Sequence, residues 1–337
     1  MPLPLIPLLL GGAALCTAGY GVKKGLDAKE DFSRAERIND EARRSYDKAQ
    51  AALESIREET QEELVGLGKQ KLDIYREGLI PFVDTFGKIK NIDFDDPNIS
   101  VDKDLVISEK EFANIQTITL KMTDLLAGSA TAMGGGVLAG VGAFGGAGLL
   151  ATASTGTAIS SLAGVAATNA TLAWFGGGAL AAGGLGMAGG TVVLGGIVAA
   201  PVLAVGGFLL ASKAEAAVED AYSNKVKAET AIEAMKAART AARAIFKRAG
   251  EIRETLEDLG QLFFDSVEDL ADLVEGGTDY REYTHKEKKL VHNCAAMAVT
   301  AKNIIETPII DDQGVATQKS RKALQDVREF LAKLNSM

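Results

Sequence analysis

Residues 151–190 read "ATASTGTAISSLAGVAATNATLAWFGGGALAAGGLGMAGG". The stretch has no charged side chain, few large aliphatic ones, and a glycine every few positions. Three structures fit such a composition: a phosphate-cradling loop, a flexible linker, or helices packed closely within a membrane. The choice decides the fold, because the stretch is the centre of a longer segment. From Leu125 to Ser212, 88 residues, there is no Asp, Glu, Lys, Arg or His, and 23 of the positions are glycine.

The phosphate loop fails on its partners. Gly140, Gly142 and Gly145 satisfy G-x-G-x-x-G, but a dinucleotide site needs a strand before the motif, a helix after it, and an acidic residue about 20 positions on for the ribose. The segment contains no acidic residue. Nor does the chain hold a G-x-x-x-x-G-K-[ST] motif: Gly68-Lys69 is followed by Gln70. The linker fails on solubility, since linkers are polar. Phe144, Leu149, Ile159, Leu172, Trp174, Phe175 and the apolar run from Val192 to Leu210 are costly to leave in water.

Helices packed through small residues remain. Gly136/Gly140, Gly142/Gly146 and Gly186/Gly190 are G-x-x-x-G pairs, and Gly156/Ser160/Gly164 is the small-residue equivalent. Lipid supplies no hydrophobic force between helices, so close backbone approach over such faces drives their association. Trp174 suits the membrane interface. Thr168 and Asn169 would hydrogen-bond between helices or line a polar path. A helix that is apolar all round can equally be a fully buried core, and that alternative stays open. Candidate spans are about 126–150, 154–173, 176–192 and 192–211, with Pro201 kinking the last. Glycine, alanine, serine and threonine are only weakly apolar, so each span is a marginal insertion segment. Such a segment could move between protein and lipid.

The remainder of the chain is charged. Across 337 residues the net charge is −9, which argues against nucleic acid as a partner and against docking on anionic lipid by charge alone. Residues Pro2 to Val22 are uncharged and then meet Lys23 and Lys24. That length is close to the roughly 20 residues that span a bilayer, and charge after the apolar run places Lys23 and Lys24 on the cytoplasmic side. Cys16 lies in the apolar N-terminal run and Cys294 in a polar-flanked helix, so no disulfide framework is expected.

Two long helices flank the uncharged segment. Phe32, Ala35, Asn39, Ala42, Tyr46, Ala49, Leu53, Ile56, Thr60 and Leu67 follow steps of three and four with a place skipped at Glu63, which is a heptad seam. This helix runs from about Asp27 to Ile80, where Pro81 should end or kink it. Residues 91–107 are an acidic connector, and Ser108 with Glu111 forms a capping box that restarts a helix. Lys213 opens the second long helix, whose apolar positions run from Ala214 to Leu270 and which stops at Gly276-Gly277. Two shorter helices follow, one behind the Thr284/Glu287 capping box and ended by Pro308, one from about Thr317 to Leu334. The long helices are expected to pair antiparallel on one side of the membrane, with an even number of crossings between them.

Catalytic signals are absent from this reading. A metal site from His285, His292 and Cys294 fails on geometry, because positions 292 and 294 point to different helix faces. No nucleophile elbow or metalloprotease helix is present. The expectation is therefore no enzyme, no cofactor, no catalytic residue and no metal site.

The block "TASTGTAISSLAGVAATNATLAWFGGGALAAGGLGMAGG", followed by "GGIVAAPVLAVGGF" and preceded by "GVKKGLDAKEDFSRAERIN", resembles a widespread, functionally uncharacterised bacterial family of glycine-zipper membrane and coiled-coil proteins. In architecture alone the chain is similar to α-helical pore-forming toxins and apolipoprotein-L-like proteins. The resemblance implies a bacterial inner-membrane protein with most of its chain in the cytosol. The expected fold is all-α: a long antiparallel coiled-coil stalk, a Gly/Ala-rich hydrophobic transmembrane head and a small helical cap. Its segments are an anchor (1–22), a long helix (23–90), the connector (91–107), the membrane region (108–212), a second long helix (213–275) and the cap (276–337). The expected partners are the lipid bilayer, further copies of the chain, and a cytosolic protein on the coiled coil. The expected activity is an oligomeric assembly that permeabilises or remodels the bilayer. The alternative is a static scaffold that recruits a cytosolic partner such as a dynamin-like GTPase.

Overall fold

The computed structural model describes residues 21–94, 108–129, 135–145, 217–311 and 314–334. The described residues are all-α, with two isolated bridges (Lys90 with Asp279, Ile310 with Ala316) in place of any strand. In order, the helices are α1 (Gly21–Asp73), a π-helical turn (Ile74–Leu79), α2 (Ile80–Phe86), α3 (Glu109–Ser129), α4 (Gly135–Phe144), α5 (Ala217–Gly276), α6 (His285–Glu306) and α7 (Gln318–Leu334). A 3-10 turn at Tyr280–Glu282 joins α5 to α6.

The helix ends follow local chemistry. Ser108 accepts from the Glu111 amide through its hydroxyl while the Glu111 carboxylate accepts from the Ser108 amide, both at 3.1 Å. Thr284 and Glu287 form the same reciprocal box ahead of α6. The α6 helix stops at Glu306 just before Pro308, and α5 stops at Gly276. Pro81 does not end the helical path. It sits in the first turn of α2, immediately after a π-helical turn in which the Ile80 amide donates to the Tyr75 carbonyl. The extra residue in that turn lets the helical path continue to Phe86 without an amide at Pro81.

The chain divides into two compact units, Met1–Ala49 with Val202–Glu233 and Gln50–Pro201 with Ala234–Met337. In the first, Ala35 and Ala221 are buried together, flanked by Ile38 and Val218. Arg34 donates to the Tyr222 hydroxyl (3.3 Å) and Asn224 donates to the Asn39 side-chain oxygen (3.4 Å).

In the second unit Thr60 donates to the Ala242 carbonyl (3.3 Å) and Arg253 donates to Glu63 (2.6 Å). Further on, Gly260 faces Ile74 and Gly78 faces the ring of Phe263. Partners on α1 and α5 thus climb together, so within each unit the two helices run parallel. The expected antiparallel pairing is corrected. A heptad seam has no intrinsic direction, and 130 residues between Phe86 and Ala217 are ample chain to return α5 to the starting end.

One core fills the second unit. The C-terminal parts of α1 and α5 share it with α2, α4, α6 and α7, through residues such as Leu67, Tyr75, Phe82, Phe263, Ala298, Ile305 and Phe330. Phe112 of α3 stacks on Phe86 with ring centroids 4.8 Å apart, and Phe82 lies 6.0 Å from Phe263. The α6 and α7 helices pack through their apolar faces and merge with the long pair in a common core. Among the described residues no helix is long and apolar enough to cross a membrane.

Candidate functional site

The uncharged segment begins within the last turns of α3 and is described again at α4, "GGVLAGVGAF". Leu138, Ala139, Val141 and Ala143 are buried in the core of the second unit. Small residues make this possible. A Cβ on Gly142 would overlap the Leu64 carbonyl oxygen, and a Cβ on Gly68 would overlap that of Leu138. Leu64 and Gly68 are four apart on α1, as Leu138 and Gly142 are on α4, so each helix offers a leucine carbonyl to the other's glycine. No side chain separates the two backbones at the crossing.

The C-terminal end of α4 is held by three hydrogen bonds from elsewhere. The last turn of a helix leaves its carbonyls without intrahelical partners. Here the Ala143 carbonyl accepts from the Ile309 amide at 2.7 Å. Lys71 Nζ donates to the Val141 carbonyl at 3.3 Å and to the Gly142 carbonyl at 3.0 Å. Gly145 then turns the chain with φ 71°, a left-handed value that glycine adopts without strain. A side chain there would come within 2.8 Å of the Glu306 carbonyl oxygen.

Lys71 is the unusual member. Among the described residues it is the single Lys, Arg, Asp or Glu that is buried, with 0% exposure. Its amine meets the negative end of the α4 dipole, yet no carboxylate among the described residues pairs with it. Burial without a counter-ion disfavours the charged form, and it pushes the Lys71 amine down to about 7. One turn along, Tyr75 is equally buried and its hydroxyl has no hydrogen-bond partner among the described residues. Burial first, and the charge of Glu306 second, push that phenol well above its ordinary range.

Of the residues singled out in the sequence, Gly142 packs helix to helix, with α1 as its partner, and Gly140 is buried in α4. Gly136 lies in α4 and Lys23 and Lys24 in α1, with their side-chain surroundings outside the described structure. Gly146, Gly156, Ser160, Gly164, Thr168, Asn169, Trp174, Gly186 and Gly190 lie outside the described residues. The expected span 126–150 is shared between α3 and α4, with 130–134 and 146–150 outside the description.

Lys71 and Gly68 went unnoticed in the sequence, although a signal existed. The seam 60, 64, 67, 71, 74 keeps steps of four and three, so Lys71 occupies an inward position, where a lysine is out of place. Leu64, next to the skipped Glu63, fills the gap.

The cap residues hold structure. His292 is buried and its Nε2 lies 2.8 Å from the Tyr280 hydroxyl, while His285 is exposed. Cys294 is fully buried, and burial pushes its thiol up to about 12. Among the described residues no group of three His, Cys, Asp or Glu side chains could hold a metal ion. A cleft of about 590 Å³ between α6 and α7 has Ile304, Val327 and Phe330 as its floor. Its rim mixes Lys319, Lys322 and Lys333 with Asp326 and Glu329, so neither sign of charge dominates. Comparison of the chain with family models, curated proteins and solved structures finds no match.

Proposed function

We propose that this is a bacterial inner-membrane protein whose glycine- and alanine-rich segment enters the bilayer and assembles into an oligomeric helical structure that permeabilises or remodels it. The observation that carries this reading is the dock of α4. The α4 helix rests on protein, with Leu138, Ala139, Val141 and Ala143 buried and Gly142 against a neighbouring backbone. An apolar segment that enters lipid conditionally needs such a resting place in water. The small-residue contacts that seat α4 on α1 are of the kind that bring helices together in lipid. The Gly156/Ser160/Gly164 and Gly186/Gly190 faces then supply contacts between copies.

A second reading is a static, membrane-anchored coiled-coil scaffold that recruits a cytosolic partner. The parallel pairing favours it. The first unit joins the early part of α1 to the early part of α5, so the apolar run before Lys23 and the end of the uncharged segment feed the same end of the pair.

Dye-loaded liposomes separate the two. The full chain should release the dye in the first reading and leave the vesicles sealed in the second. Carbonate extraction of cell membranes adds a check: a conditionally inserted protein leaves a releasable pool, whereas a constitutive anchor stays wholly in the pellet.

A further inference from the structure

A buried amine that caps a helix can report the proton concentration if the helix leaves when the amine is charged. Three observations place Lys71 in that position. It is fully buried, its Nζ holds the last carbonyls of α4, and the contact surface around it is a glycine crossing. That crossing buries little large side-chain area on the α4 side, since six of the ten residues of α4 are glycine or alanine. The amine is therefore a large share of what holds this end of the helix.

The charges around Lys71 do not offset its own. From α4 there are none. On its own helix Asp73 pairs with Arg76, and Tyr75 is a phenol. From α6 Glu306, whose charge acts on Tyr75, pairs with Lys302 at 3.3 Å. From α5 the carboxylates of Glu257 and Asp258 face solvent beside buried Leu256 and Leu259. Nothing in these sets supplies a free carboxylate to the buried amine.

We propose that Lys71 is a proton-linked latch: α4 docks on the neutral amine, and uptake of a proton from solvent by the amine releases α4 from the core. That release matters at a bilayer rests on the function proposed above, while the latch itself does not. The sign is fixed by the two states. The docked amine titrates near 7 and a solvated lysine at about 10.4. Docking is unaffected by pH above the higher value, weakens about tenfold per pH unit as pH falls between the two, and becomes level below the lower one. Acidification from pH 7.5 to 6.5 should loosen the dock about threefold, and raising pH from 7.5 to 9 should tighten it by a factor of about twenty.

Hydrogen exchange on the full-length chain, corrected for the intrinsic pH dependence of exchange, tests this without lipid. The amides of residues 138–143 should gain about twentyfold in protection between pH 7.5 and 9, with residues 294–301 of α6 as the internal reference. Lys71→Met should remove that slope whatever its effect on the absolute protection. A wild-type curve that stays flat relative to α6 overturns the latch even if the variant does not fold, as does an equal slope in wild type and Lys71→Met. Liposome leakage measured separately tells whether the membrane reading stands, because a latch can be present in a protein that never leaks a vesicle.

Discussion

Gly142 of α4 and Leu64 of α1 meet backbone to backbone, with no room for a methyl group between them. The neighbour that would have to give is a carbonyl oxygen within a helix, which cannot rotate away as a side chain could. Gly142→Ala should therefore lower the stability of the second unit by about 3 kcal/mol, the upper part of the usual range for overpacking. Gly68→Ala, on the other side of the crossing, should behave alike. Gly277→Ala is the control, since nothing lies within 4 Å of a Cβ built there, and it should stay within about 0.5 kcal/mol of wild type. Urea unfolding followed by circular dichroism measures all three.

The parallel course of α1 and α5 has a chemical readout. Ala35 and Ala221 are buried against one another, so cysteines at both positions should be joined by a short bifunctional maleimide. Cys16→Ser and Cys294→Ser provide the background. A gel that shows no joining within a chain would overturn the parallel pair.

Glu63 and Arg253 form a 2.6 Å ion pair between α1 and α5, with the carboxylate side chain 16% exposed and the guanidinium side chain 39% exposed. The pair replaces an apolar contact at the place the heptad skips. Partial exposure lets solvent screen it, so a double-mutant cycle with Glu63→Gln and Arg253→Gln should give a coupling of about 1 kcal/mol. Raising salt to about 1 M should shrink that coupling further, since the Debye length falls to ~3 Å.

Cys294 should be chemically silent in the folded protein. Its side chain is fully buried and its thiol is pushed up to about 12, and it is the thiolate that reacts. In a Cys16→Ser chain at pH 8, Ellman's reagent should find no thiol until denaturant is added. Prompt labelling under native conditions would mean that the α6 core opens.

Much of the helical layout was legible in the residues themselves. Heptad spacing located α1, since burial at Ala35, Ala42, Leu53, Ile56, Thr60 and Leu67 follows the seam, and the apolar positions from Ala221 to Leu270, buried in turn, located α5. Phe32 is the exception: it begins the seam yet is 50% exposed. Capping boxes at Ser108/Glu111 and Thr284/Glu287, glycines after α5 and Pro308 after α6 fixed helix ends, because those signals act within one turn. The dock of α4 was less legible. The sequence showed that glycines would seat a helix closely, but G-x-x-x-G spacing specifies a flat face and leaves its partner open.

The sequence by itself determined where α1, α5, α6 and α7 lie and that one long segment carries no charge, because propensity, capping and hydrophobic period are local quantities. Tertiary structure alone decided that α1 and α5 run parallel, that α4 lies on Gly68, and that Lys71 ends inside the core. Each of those depends on which surfaces meet across more than sixty intervening residues. The competing arrangements differ by packing and desolvation energies that no local pattern records.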